Sequence, residues 1–207
     1  MPMSQVEKNP QAVWEALQAG NERFVTHREE RPNQDSTRRV ALRTGQSPRA
    51  VVLSCSDSRV PVELVFDVGL GDLFVIRTAG QIIDQAVLGS LEFAIEALDV
   101  DLVVVMGHES CGAVKATAAA LEGDAIPSGF QRVLVEKVAP SILEARSQGM
   151  SGIVDYERQN VTETVNQLMT RVPQLRERLN DGRIGAVGLR YRLSDGCAET
   201  VVTYGVE

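Results

Sequence analysis

The sequence has few of the residues on which several common functions depend. Its 207 residues include only two histidines and three cysteines, and 21 basic residues stand against 28 acidic ones, which gives a net charge of −7. This acidic balance disfavours binding to nucleic acid or to an anionic membrane surface, and no basic run offsets it. We therefore expect neither a nucleic-acid partner nor a membrane partner.

Long apolar runs are also missing. No segment approaches the roughly 20 apolar residues that cross a bilayer, and the first residues contain no apolar stretch typical of a signal peptide. An odd number of cysteines does not suit a disulfide framework. These absences predict a cytoplasmic protein whose thiols stay reduced.

The sequence does contain alternating strand and helix patterns. Short apolar runs predict buried strands at 50–53, 73–76, 102–106 and 184–193, and the turn Ser194-Asp195-Gly196 predicts an antiparallel edge strand at 201–204. Helices are predicted at 10–27, 61–66, 82–98, 113–121, 132–146 and 161–171. The alternation indicates an α/β fold with a mostly parallel central sheet, four parallel strands plus one antiparallel edge strand, flanked by helices.

The length favours a single domain over residues 1–207, with an N-terminal helical arm at 1–48 and an α/β core at 49–207. In the arm, Asn9 caps and Pro10 opens the first helix, and a short helical turn follows around Val40 and Leu42. The arm has too few apolar residues to fold alone. We expect it to lie over a partner subunit.

Two polar motifs follow two of the predicted strands. Cys55-Ser56-Asp57-Ser58-Arg59 begins where the first strand ends, and Gly107-His108-Glu109-Ser110-Cys111-Gly112 begins where the third ends. In open α/β sheets, active sites lie beyond the carboxyl ends of the strands. The two motifs are therefore expected to meet at one edge of the sheet.

Cys55, His108 and Cys111 form a set of two cysteines and one histidine, which catalytic zinc uses in some enzymes. Three protein ligands leave a fourth tetrahedral position open, whereas a structural site closes it. The alternative is that the two cysteines are small buried hydrophobes and His108 is a loop histidine. Cys197 and His27 have no ligand-like neighbours, so we interpret Cys197 as a packing residue and His27 as a solvated one.

Asp57 and Arg59 form a second informative pair. A carboxylate two residues from a ligand can accept a hydrogen bond from water at the metal, and a guanidinium can hold that carboxylate in place. We interpret these two residues as catalytic. The alternative is an ordinary surface ion pair.

Both motifs resemble the paired signatures of the β-class carbonic anhydrases, and Gly45-Gln46-Ser47-Pro48 and Arg77-Thr78-Ala79-Gly80 also match. The resemblance runs from the arm to the last strand. It implies one zinc ion per chain and reversible hydration of carbon dioxide to bicarbonate and a proton, through attack of zinc-bound hydroxide.

The resemblance also implies roles for further residues. Gln46 is expected to contact substrate in a neighbouring subunit's site, which makes the active unit a dimer or a tetramer built from dimers, and Gly112 to present its backbone amide to the substrate. In a closed state, Asp57 would leave Arg59 and become a fourth zinc ligand.

Some members of the family carry a second, non-catalytic bicarbonate pocket that inhibits them. The residues that match its positions are Val60, Glu63, Arg77 and Tyr191. Val52, however, stands where such members have tryptophan, so the resemblance is incomplete at this pocket.

Two other functions fit the same motifs. One is hydrolysis of carbonyl sulfide or carbon disulfide on the same scaffold, and the other is a non-catalytic module that binds zinc or bicarbonate. The Asp57–Arg59 pair argues against the second, because a structural zinc needs no residue to orient a base. A thiol redox protein is not expected, since no Cys-x-x-Cys motif is present.

Overall fold

A computed structural model describes residues 3–207 and has eight α-helices and five strands in that range. The helices are α1 (Pro10–Val25), α2 (Ser36–Ala41), α3 (Val62–Val65), α4 (Gln85–Glu96), α5 (Gly112–Leu121), α6 (Arg132–Ser147), α7 (Ile153–Arg171) and α8 (Pro173–Asn180). The strands are β1 (Ala50–Cys55), β2 (Leu73–Thr78), β3 (Leu102–His108), β4 (Gly185–Tyr191) and β5 (Ala198–Tyr204).

The five strands form one sheet in the order β2-β1-β3-β4-β5. Strands β1 to β4 are parallel to one another, and β5 pairs with β4 in the antiparallel direction after the turn at Gly196, whose φ is 78°. The predicted α/β fold, with four parallel strands and an antiparallel edge strand, is confirmed.

Helices cover both faces of the sheet, so alternate residues of the central strands enter two different cores. Val52 and Val104 point to the face covered by α1 and α3. Val51 and Val103 point to the face covered by α4, α7 and α8. A third apolar cluster, formed by α5, α6 and the start of α7, surrounds Cys55 and Cys111 at the carboxyl end of the sheet.

Helix α1 begins as the sequence predicts, because the Asn9 side chain accepts a hydrogen bond from the Ala12 amide at 2.8 Å and Pro10 is the first helical residue. Its apolar side chains pack on this chain's own sheet: Val13 and Leu17 are fully buried, and Trp14 is 2% exposed. We expected the whole arm to lie over a partner, but α1 instead belongs to the core of this chain.

Two helices differ from the sequence prediction. Helix α7 begins at Ile153, eight residues before the predicted start at 161, and α8 was not predicted. The early turns of α7 bury Tyr156, Glu157 and Asn160, so their buried face is largely polar and gives little apolar periodicity. Helix α8 buries only Leu175 among its eight residues, and its pattern is equally weak.

Within residues 3–207, no helix combines the length and the apolar character needed to cross a membrane.

The packing of α1 leads to a stability prediction. Leu17→Ala should lower the free energy of unfolding by about 2–5 kcal/mol, because it leaves a cavity between α1 and the sheet. Gln18→Ala, an exposed position on the same helix, should change it by less than about 0.5 kcal/mol. Urea unfolding of both variants measures the difference, and equal stabilities would mean that α1 is not part of the core.

Candidate metal centre and active site

The three candidate zinc ligands lie where two neighbouring strands end. Cys55 is the last residue of β1 and His108 the last residue of β3. Cys111 directly precedes α5, and between it and His108 the chain turns at Ser110, whose φ of 60° lies in the left-handed region. A serine held in this conformation is a locally costly turn, and here it directs His108 and Cys111 to the same point.

The ligand atoms of Cys55, His108 and Cys111 all lie within 4.8 Å of one another, and the three residues are buried. His108 Nδ1 lies 2.8 Å from the Glu109 carbonyl oxygen, so Nδ1 donates a hydrogen bond and Nε2 is left with its lone pair. Nε2 is buried and has no hydrogen-bond partner. A buried imidazole nitrogen of this kind is costly unless a cation or donor completes it.

The two thiols share a hydrogen bond that separates their acidities. Donation from the Cys111 thiol lowers the pKa of Cys55 to about 4, against the opposing effect of burial, and the Gly80 amide donates to the same sulfur. The shared hydrogen bond and burial raise the pKa of Cys111. The cluster thus stabilises a thiolate beside an imidazole lone pair, and this donor set fits zinc, which binds with release of the remaining proton.

Asp57 and Arg59 are paired beside this cluster. Arg59 donates from Nε to Asp57 Oδ1 at 3.0 Å, from Nη2 to Oδ2 at 2.8 Å and from its backbone amide to Oδ1 at 2.9 Å. The Arg59 hydrogen bonds hold the pKa of Asp57 below its usual range, so the carboxylate is ionised. Asp57 Oδ2 lies 3.8 Å from His108 Nε2, which puts an acceptor next to the metal position.

Arg77 fixes the loop that carries both Cys55 and Asp57. From β2 its guanidinium donates to the Cys55 carbonyl from Nε at 3.1 Å and Nη2 at 2.9 Å, and Nη2 also donates to the Asp57 carbonyl at 2.7 Å. In the sequence, Arg77 stands in the matching segment Arg77-Thr78-Ala79-Gly80 and at a position of the predicted regulatory pocket. Its contacts show that it also organises the loop of the metal site.

Glu157 on α7 is a residue of this region that the sequence analysis missed. Its carboxylate is buried, accepts a hydrogen bond from the Cys111 backbone amide at 3.3 Å and pairs with Arg190 of β4 at 2.8 Å. A glutamate at the start of a polar helical turn gives no signal in the sequence. Only the packing of α7 brings it to Cys111.

The structure separates Gln46 from the cluster and leaves Gly112 close to it. Gln46 lies in an exposed loop before β1, next to Arg49, whose amide donates to the Asp72 carbonyl at the amino-terminal edge of the sheet. Along β1 the chain rises about 3.3 Å per residue, so Arg49 and Cys55 lie roughly 20 Å apart, and Gln46 lies on the far side of Arg49 from the cluster. Gly112 is the first residue of α5, is exposed, and a Cβ added there would meet no atom within 4 Å.

The remaining residues of the predicted regulatory pocket have different surroundings. Val60 and Tyr191 are buried in the core on the α1 face, whereas Glu63 is exposed and lines a surface cleft with Glu29 and Arg31. Val52 is fully buried within β1. These surroundings do not test the regulatory pocket, which stays a prediction.

The two residues set aside by the sequence analysis lie away from the cluster. His27 is exposed just after α1, and Cys197 is half-buried before β5, in a cleft that Trp14 and Phe66 also line. Neither belongs to the group of metal-ligating side chains found among the described residues.

The fold and the site together define a zinc enzyme on a parallel α/β sheet, with a site of two cysteines and one histidine beside a paired aspartate. A family model for carbonic anhydrase matches residues 50–198. Carbonic anhydrase 2 of Mycobacterium tuberculosis strain H37Rv is 50% identical over 190 residues, which cover 92% of each chain. The carbonic anhydrase of Mycolicibacterium smegmatis is 51% identical over 191 residues, covering 92% of this chain and 93% of the relative.

Solved structures agree on the fold. A Coccomyxa β-carbonic anhydrase in complex with acetazolamide superposes with a TM-score of 0.73 at 22% identity, covering 83% of this chain and 80% of that one. One of two tetrameric β-carbonic anhydrases from Sordaria macrospora gives a TM-score of 0.70 at 19% identity, with coverages of 93% and 99%. The chain belongs to the β-class carbonic anhydrase family, and it is a zinc-dependent enzyme of carbon dioxide hydration.

The geometry predicts the effect of removing each ligand. Cys55→Ala, His108→Ala and Cys111→Ala should each reduce bound zinc well below the one ion per chain of the parent, because two remaining donors hold zinc weakly. Cys197→Ala is the matched control and should keep full zinc. Metal analysis after dialysis measures the stoichiometry, and full zinc in any of the three ligand variants would contradict the site.

Proposed function

We propose that Asp57 orients the nucleophile in carbon dioxide hydration and that Arg59 holds Asp57 for this task. The observation that carries the proposal is the placement of an ionised carboxylate, fixed by three hydrogen bonds from Arg59, 3.8 Å from the buried Nε2 of His108. A surface ion pair would not need a position beside a buried cluster of metal ligands.

Cys55, His108 and Cys111 would hold zinc, whose Lewis acidity would make hydroxide available at mildly alkaline pH, because two thiolates leave the metal less acidifying than neutral histidines would. Asp57 Oδ2, held beside the metal position, would accept the hydrogen of the attacking oxygen and so direct a lone pair of that oxygen toward the carbon of the substrate. Gly112, exposed at the first turn of α5, would offer its backbone amide to a substrate oxygen. The Gly112 amide is one of the first four backbone amides of α5, and the first four amides of a helix have no hydrogen-bond partner within that helix.

The same contacts support Arg59 as a restraint on Asp57. Without its guanidinium partner, the carboxylate is free to turn toward the metal position, where it would become a fourth ligand and exclude substrate. Arg59 is half exposed and contributes little to packing. Its main effect is therefore expected on the orientation of Asp57.

Arg59→Ala should accordingly lower kcat by roughly 100-fold or more, because a misdirected carboxylate costs this much in well-ordered sites. Zinc content and thermal midpoint should stay near those of the parent. Arg183→Ala removes a surface arginine that is likewise paired with an aspartate two residues away, Asp181, but lies just before β4 at the amino-terminal end of the sheet, and it should keep full activity. Stopped-flow carbon dioxide hydration checks both variants, and near-normal turnover by Arg59→Ala would refute the restraint.

We also propose that Gln46 serves the site of a partner subunit, so that the active unit is a dimer or a tetramer of dimers. Gln46 lies beyond the amino-terminal edge of the sheet, while the cluster lies at the carboxyl end. The tetrameric Sordaria macrospora enzymes share the fold and support assembly.

Mixed dimers test this sharing of the site. Gln46→Ala and Cys55→Ala should each be inactive alone, since one lacks the substrate contact and the other the metal. When the two variants are refolded together and pair at random, half of the dimers contain one chain of each variant. Each mixed dimer has one complete site out of two, so the mixture should regain about one quarter of the parent activity. No regain, with mixed dimers demonstrated by differential tags, would mean that Gln46 serves its own chain or none.

We also propose a regulatory bicarbonate pocket at Val60, Glu63, Arg77 and Tyr191. Arg77 already holds the carbonyl groups of Cys55 and Asp57, so Arg77→Ala would disturb the metal site as well. Glu63→Gln is the cleaner variant because Glu63 is exposed. Sigmoidal inhibition by bicarbonate that becomes hyperbolic in Glu63→Gln supports the pocket.

The free cysteines support a cytoplasmic location, since thiolate ligands persist where thiols are kept reduced.

Hydrolysis of carbonyl sulfide would be a different reaction at the same metal centre. Parallel measurement of bicarbonate formation and sulfide release on one zinc-replete preparation distinguishes the two activities.

A further inference from the structure

A buried ion pair lies directly behind the metal centre. Glu157 of α7 is 2% exposed and Arg190 of β4 is 5% exposed, and Arg190 Nε donates to Glu157 Oε2 at 2.8 Å. Withdrawing two charges from water is costly, and such a pair contributes little net stability compared with apolar side chains of the same size. Net stability therefore does not explain why this ion pair lies behind the metal centre.

The second oxygen of the same carboxylate contacts the chain at a zinc ligand. Glu157 Oε1 accepts a hydrogen bond from the Cys111 backbone amide at 3.3 Å. Cys111 is the capping residue of α5, and its own side chain makes no capping bond. Glu157 accepts instead from the amide of the capping residue itself, the amide that the glutamate of a capping box binds, and its negative charge at the start of the helix is favourable.

Rigid elements hold this carboxylate from two sides. Arg190 is paired in the sheet with Gly107, the residue before His108. Helix α7 packs tightly on β3, since a Cβ added to Gly107 of β3 would lie 2.5 Å from Val161 Cγ2 of α7. The position of Glu157 relative to the end of β3 is thus fixed by both its helix and its charge partner.

We propose that Glu157 is a positioning residue that sets the backbone at Cys111, and so the direction of its sulfur toward zinc, while Arg190 fixes the orientation of Glu157. The inference rests on the zinc site of Cys55, His108 and Cys111. Outer contacts of this kind typically change metal affinity by about 10- to 100-fold when they are removed.

Two double variants isolate the hydrogen bond from the charge. Glu157→Gln with Arg190→Met keeps an oxygen acceptor for the Cys111 amide, and Glu157→Met with Arg190→Met removes it. Both lack the buried charges and differ little in side-chain volume. The methionine double variant should bind zinc at least about tenfold more weakly than the glutamine one in chelator competition.

Substitution of Co²⁺ provides a spectroscopic measurement that does not depend on turnover. The thiolate-to-cobalt charge-transfer band should shift or weaken more in the methionine double variant than in the glutamine one, which keeps the acceptor for the Cys111 amide. Leu168→Ala, on the buried face of α7 but outside the site cluster, is the control. It should lower the thermal midpoint while zinc affinity and the cobalt spectrum remain unchanged.

Equal zinc affinity and equal cobalt spectra for the two double variants would overturn the proposal, as would a change in Leu168→Ala as large as that in the methionine variant. If the double variants do not fold, Glu157→Asp replaces them, because it keeps a charge for Arg190 but is one methylene too short to reach both partners. Zinc binding by Glu157→Asp as tight as in the parent overturns the proposal. One zinc per parent chain is measured separately, so failure of the site itself is distinguishable.

Discussion

The active centre depends on the parallel pairing of β1 with β3. Their register sets Ala50 beside Leu102 and Ser54 beside Met106, so both strands end at the same height in the sheet. Cys55 and the Gly107-His108 segment are therefore neighbours whatever rotamers their side chains adopt. The buried valines of both strands fix this register, because a slip of one residue would exchange the two core faces.

Arginines then fix the polar groups that the strand ends bring together. Arg77 holds the loop after β1 by its carbonyl groups, Arg59 holds the carboxylate of Asp57, and Arg190 holds that of Glu157. The planar guanidinium suits this task because it donates several hydrogen bonds in fixed directions. Because Arg59 and Arg190 are each paired with a carboxylate, the Cys55 thiolate is stabilised by the hydrogen bonds it accepts and not by an excess of positive charge.

The sheet and the metal ligands could be predicted from the sequence because each depends on a local pattern. Continuous apolar runs mark strands buried on both faces, and the residues that follow them must lie at one edge of a parallel sheet. The start of α7, all of α8 and the packing of α1 depend instead on tertiary contacts. Leu17 looks the same in sequence whether it meets this chain's sheet or a partner's.

Glu157 is the clearest example of a residue near the site that the sequence alone does not identify. In the sequence it stands between Tyr156 and Arg158 in a polar stretch, and a charged residue there is normally placed on the solvent side of a helix. Its burial is stable only because Arg190 and the Cys111 amide meet its two oxygens, and those partners are 33 and 46 residues away along the chain. A buried charge is defined by its partners, so a pattern based on residue type alone cannot identify it. The same reasoning applies to any site whose supporting residues come from a helix packed behind the sheet.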